Sequence, residues 1–65
     1  MKFKKISQNK QACFYALVED VDSVEYKTLV DWLATHCSDG FELSNMHLIL
    51  SKENELFFEL TFPLI

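Results

Sequence analysis

Residues 46–62 read Met46-His47-Leu48-Ile49-Leu50-Ser51-Lys52-Glu53-Asn54-Glu55-Leu56-Phe57-Phe58-Glu59-Leu60-Thr61-Phe62, and the period of this stretch decides the fold. Met46, Leu48 and Leu50 alternate with His47, Ile49 and Ser51. Leu56, Phe58, Leu60 and Phe62 alternate with Glu55, Phe57, Glu59 and Thr61. A period of two is the signature of a strand with one buried face. The stretch therefore reads as a β-hairpin. Its two apolar faces match only if paired residue numbers have an even sum, which requires a connecting loop of odd length. Lys52-Glu53-Asn54 satisfies that parity, with Asn54 suited to the left-handed residue of a bulged turn. The register then pairs Leu50 with Leu56, Leu48 with Phe58 and Met46 with Leu60 on the core face. On the outer face it pairs Ile49 with Phe57 and His47 with Glu59.

Upstream, Phe41 and Leu43 are out of phase with Met46, which predicts a bulge or bend near Ser44-Asn45 within a strand over 41–51. A helix is predicted over Ser23–Ser38. Asp22 can cap it, Glu25 completes a capping-box arrangement, and Val21 and Tyr26 occupy the positions of a hydrophobic staple. Gly40 is placed to end the helix with a left-handed residue. At 100° per residue, Tyr26, Leu29, Val30, Leu33 and Cys37 form the core stripe. Trp32 falls on the flank, where it either laps the edge of its own sheet or anchors a partner.

Two more strands are expected over Lys2–Ser7 and Gln11–Glu19, joined near Gln8-Asn9-Lys10. The register of this hairpin is ambiguous because Phe3 and Ile6 have opposite parity. In Ala12-Cys13-Phe14-Tyr15-Ala16-Leu17-Val18 both parities are apolar, unlike a strand with one wet face. The expected fold is therefore α+β: a single compact domain over 1–65, ordered β-β-α-β-β, with an antiparallel sheet of about four strands and one helix packed on one face. One helix covers one face only. Each face presents roughly 450 Å², so Tyr15, Leu17, Ile49 and Phe57 on the other would form an apolar patch that needs a cover.

With 65 residues, 49% of them hydrophobic, the chain buries about 60% of its unfolded surface. No apolar run spans a bilayer, and Met1-Lys2-Phe3-Lys4-Lys5 lacks the apolar stretch of a secretory signal. A cytoplasmic location is expected, the host cytoplasm if the chain is phage-encoded. The two cysteines, Cys13 and Cys37, read as free, packed thiols, with a single disulfide tying strand to helix as the alternative. All six basic residues are lysines, four of them before residue 19, while all ten acids lie from Glu19 onward. The lack of arginine and the net charge of −4 argue against direct nucleic-acid binding.

Motifs for chemistry are absent. Cys13, His36, Cys37 and His47 have the wrong spacing for zinc, and adjacent His36 and Cys37 diverge by about 100° on a helix. The acidic run from Glu19 to Glu25 lacks the glycine and length of a calcium loop, and serves helix capping. One glycine cannot build a phosphate loop. No nucleophile–histidine signature appears. An enzyme is not expected, and neither a metal nor a cofactor.

What remains is a small acidic protein-binding module, an inhibitor or regulator of a larger protein or complex. Chains of this size and charge recur among phage and mobile-element products that block host defence, such as anti-CRISPR-like inhibitors. The association is one of type and rests on no motif. A basic partner surface would meet Glu19, Asp20, Asp22, Glu25, Glu53, Glu55 and Glu59, by long-range steering. Tyr15, Trp32, Ile49 and Phe57 form the apolar part, for a partner or for self-association. A homo-oligomeric structural subunit, a homodimer in the simplest case, and an immunity or antitoxin protein are the alternatives.

Overall fold

The computed structural model describes residues Met1–Ile65. In chain order the elements are β1 (Phe3–Gln8), β2 (Ala12–Leu17), α1 (Ser23–His36), β3 (Phe41–Ser44), β4 (His47–Ser51), a 3-10 turn (Lys52–Asn54) and α2 (Glu55–Thr61). The strands form one antiparallel sheet in the order β1-β2-β4-β3. The chain is thus a small α+β domain with two helices, where the sequence predicted one.

α1 begins as its sequence dictates. Asp22 Oδ1 accepts from the Glu25 amide at 2.8 Å, and Glu25 Oε1 accepts from the Asp22 amide, closing the capping box. The helix ends at His36, with the Cys37 amide donating to the Leu33 carbonyl. Gly40, at φ +127°, lies beyond this end and closes a separate turn by donating to the Cys37 carbonyl. It does not serve as the helix stop itself.

The predicted strand over 41–51 is two strands. The phase break at Ser44-Asn45 is met by a two-residue hairpin in place of a bulge. Asn45 and Met46 both have positive φ, +49° and +63°, the requirement of a type I′ turn. This turn pairs Leu43 with Leu48 and Phe41 with Leu50, so the out-of-phase residues return to one face. The turn also determines the fate of the next segment. With β2 on one side of β4 and β3 on the other, no edge of β4 remains for a hairpin partner.

Residues 55–61 consequently fold as α2, which corrects the strand predicted over 54–62. None of the pairs Leu50–Leu56, Leu48–Phe58, Met46–Leu60, Ile49–Phe57 or His47–Glu59 forms. Lys52-Glu53-Asn54 is a helical turn leading into α2. The helix satisfies its backbone locally and places spacing-four residues on shared sides. Phe58 and Phe62 both meet the Phe3 ring, at centroid distances of 5.1 and 5.9 Å. Glu55 and Glu59 both reach the Lys5 ammonium.

The core lies on one face of the sheet. Phe3, Cys13, Tyr15, Leu17, Leu48 and Leu50 come from strands, Leu29, Leu33 and Cys37 from α1 and its cap, and Phe58 from α2. Burying Phe58 alone contributes roughly 1.5–3 kcal/mol. Tyr15 and Leu17, expected on the uncovered face, belong to this core because β2 turns Cys13, Tyr15 and Leu17 inward as one alternate set. The N-terminal register resolves through a bulge between Lys5 and Ser7, which leaves Ile6 unpaired and exposed. The C-terminal segment meets the outer edge of β1 at its first residue: Leu64 bridges Phe3, and the Ile65 amide donates to the Phe3 carbonyl at 3.0 Å. No helix is long and apolar enough to cross a membrane.

Candidate functional site

The acids singled out in the sequence separate into two groups with internal partners. Around the N-terminus, the Met1 amine lies 3.5 Å from Glu19 and 3.4 Å from Glu25, while Asp22 caps α1. Around β1, Lys5 sits between Glu55 and Glu59, and Lys52 reaches Glu55 at 3.0 Å. These five carboxylates have partners within the chain and fall in two separate clusters, and Glu19 and Glu25 stay 45% and 43% exposed. Asp20 and Glu53 remain without an ion pair.

The Lys5 site is a half-buried network. Tyr15 Oη donates to Glu59 Oε2 at 2.8 Å, beneath the Lys5 ammonium. The Lys5 hydrogen bond, followed by that from Lys52, holds the Glu55 carboxyl at about 2, below its ordinary 4.5. Glu55 and Glu59 in turn raise the Lys5 ammonium. Burial raises the Tyr15 phenol, and the bond to Glu59 adds to it. Burial likewise raises the Cys13 and Cys37 thiols, both free and buried. These shifts favour an ionised Glu55 and Lys5 and a neutral Tyr15 phenol and thiols. Nor is any group of three His, Cys, Asp or Glu placed to hold a metal ion.

A further carboxylate, Asp39, anchors the loop after α1. Ser51 Oγ donates to it at 2.6 Å and Asn54 Nδ2 at 2.8 Å, and these bonds lower its carboxyl.

The apolar candidates divide as well. Tyr15 is wholly buried and offers no surface, a correction that follows from the inward phase of β2. Ile49 lies on the uncovered sheet face, between Phe14 of β2 and Glu42 of β3. Phe57 is not beside it, because α2 carries Phe57 to the helical side of the sheet. There Phe57 packs 5.6 Å from the Trp32 ring and 5.1 Å from His36. Trp32 does not lap a sheet edge. It fills the seam between the helices, touching Phe57, Phe58 and Phe62.

Two residues that the hairpin reading assigned to the core stand in solvent. Leu56 and Leu60 are 73% and 72% exposed, next to Phe57 at 52%. At 100° per residue the three form one stripe about 100° wide on α2. Leu56 and Leu60 share a side at either period, so their spacing alone does not separate helix from strand. Phe57, an aromatic residue on the otherwise polar parity of Glu55, Glu59 and Thr61, breaks the strand alternation and is the signal that sequence offered. The Trp32–His36 pair, at 4.8 Å, continues the stripe onto α1.

No protein-family profile, curated protein or solved structure matches the chain.

Proposed function

We propose that the chain is a small acidic protein-binding module, an inhibitor or regulator that acts by occupying the surface of a larger protein. The observation that carries this reading is the α2 stripe of Leu56, Phe57 and Leu60, bordered by Trp32. A seven-residue helix is not stable alone and is held here by Phe58 and the Lys5 network. Its remaining apolar residues nevertheless face water, in a chain that has little core to spare. Burying what is exposed of the three contributes on the order of 3–6 kcal/mol. Association costs about 4–15 kcal/mol, so the stripe acts as the centre of a wider contact, with Trp32 as its aromatic anchor. The net charge of −4 steers encounter toward basic partners.

The same stripe supports a second reading, a homodimer in which α2 packs on its own copy about a two-fold axis. Capture from the source cell's lysate with immobilised chain, compared with Leu60→Asp, tests the proposal. A partner held by the wild type and released by the folded variant is expected. Equal retention by both chains contradicts it. Sedimentation at high micromolar concentration distinguishes the two readings, since only the self-pairing one requires a dimer.

A further inference from the structure

The two sheet edges differ. β1 is bridged by Leu64-Ile65 at Phe3 and carries Lys4 and Lys5, whereas β3 pairs only with β4 and carries Glu42. In a two-residue hairpin the closing pair, here Ser44 and His47, exchanges backbone hydrogen bonds, and bonded pairs then alternate along the ladder. Phe41 and Leu43 therefore direct their N–H and C=O groups away from β4. No turn, loop or side-chain hydrogen bond reaches the backbone of Phe41–Ser44. These groups form a template for one more strand.

Both surface hollows of the molecule border this strand. On the helix-covered side, about 220 Å³ is enclosed by Leu17, Val21, Tyr26, Leu43 and Met46, with Asp20 at the rim. On the other side, a shallower hollow of about 350 Å³ lies against Ala12, Phe41, Glu42 and Ile49. A strand added to this edge sends alternate side chains to opposite faces, one set beside Leu43 at the first hollow and the other beside Glu42 at the second. Both hollows reach inboard from there, the first to Leu17 of β2 and the second to Ile49 of β4 and Ala12 of β2. The charge is equally placed. Of the ten acids only Asp20, Glu42 and Glu53 lack an ion pair or hydrogen bond, and two of them flank β3. The strand lysines, Lys4 and Lys5, lie on β1 at the far edge of the sheet.

We propose that the β3 edge receives an extended basic segment of a partner protein as an added strand, apolar side chains entering the hollow beside Leu43 and a lysine or arginine facing Glu42. A second copy of the chain is disfavoured as the occupant. Antiparallel pairing of β3 with itself about Glu42 sets that carboxylate opposite its own copy, where like charges destabilise a ladder, and in any register it brings together two chains of net charge −4. The edge is a different surface from the α2 stripe, so each can be lost without the other.

The test is a titration of isotope-labelled chain with a nine-residue peptide alternating lysine and valine, followed through backbone amide resonances. Saturable shifts centred on Phe41–Ser44, with slowed exchange of the Phe41 and Leu43 amides, are expected. Glu42→Lys should weaken this peptide about tenfold and favour a glutamate–valine peptide instead. Equal binding of the two peptides by the wild-type chain, or no saturable change at Phe41–Ser44, overturns the proposal. Shifts confined to α2 also overturn it, while leaving the protein-binding reading at the stripe in place. Protection of the Phe41 and Leu43 amides without peptide, accompanied by a dimer in sedimentation, assigns the edge to a second copy and overturns the proposal too.

Discussion

The hydroxyl of Tyr15 donates a 2.8 Å hydrogen bond to Glu59 Oε2, joining β2 to α2 across 44 residues of sequence. The Tyr15 ring packs 4.8 Å from Phe58, so one side chain fixes α2 by both its apolar body and its polar tip. Tyr15→Phe keeps the ring and removes the bond to a charged acceptor. Urea unfolding should show a loss of about 1–2 kcal/mol with an unchanged slope. A neutral result would mean that the Lys5 ion pairs hold Glu59 without help from the phenol.

The same network sets the acid limit of stability. Glu55 has a folded value of about 2 against an ordinary 4.5, so it contributes stability above 4.5 that is lost as pH falls toward 2. At the alkaline end, burial raises the Tyr15 phenol above 10 and the Cys13 and Cys37 thiols above 9. Their contribution is complete below those ordinary values and declines as pH rises, because the unfolded chain ionises first. Thermal midpoints should therefore form a plateau that falls on both sides. Glu55→Gln should flatten the acid limb and weaken the alkaline limb only in part. Glu55 raises Lys5 and, after burial, Cys13, whereas burial is the first cause of the Tyr15 and Cys37 shifts.

Met46 occupies a left-handed position, φ +63°, where a type I′ turn favours glycine. The conformation costs a side-chain-bearing residue about 1 kcal/mol. Met46 is 42% exposed, so little burial is lost on removing its side chain. Met46→Gly should raise stability by about 0.5–1 kcal/mol in denaturant unfolding. A loss would show that its contact with the hollow by Leu43 outweighs the backbone strain.

Cys13 and Cys37 are 0% and 1% exposed, with raised thiols. A thiolate-specific reagent should modify neither in the native state except through opening of the fold. The labelling rate should then fall as stability rises, and Met46→Gly should slow it. Fast labelling independent of stability would contradict the packing of these thiols.

The start of α1 could be read from sequence because its cap is local: Asp22, Glu25 and the stripe containing Leu29 and Leu33 need no other element to define them. The identity of residues 55–61 was not legible, for a geometric reason. Residues four apart share a side in both a helix and a strand, so Glu55/Glu59 and Phe58/Phe62 satisfy either period. The choice was made elsewhere, by the Asn45-Met46 turn, which folds β3 back onto β4 and fills its free edge. Once that edge is taken, Leu56 and Leu60 exchange a core position for an exposed one. Lys5 gave no sign of its role, because its two carboxylate partners lie 50 and 54 positions away in sequence. The acidic surface inferred from charge alone missed that most of those carboxylates are committed within the chain.

Urea unfolding of Leu60→Asp tests most directly whether α2 turns a spare apolar stripe toward a partner. Leu60 is 72% exposed, so the substitution should change stability by no more than about 0.5 kcal/mol while abolishing association. A loss of several kcal/mol would place Leu60 in the core and contradict the account.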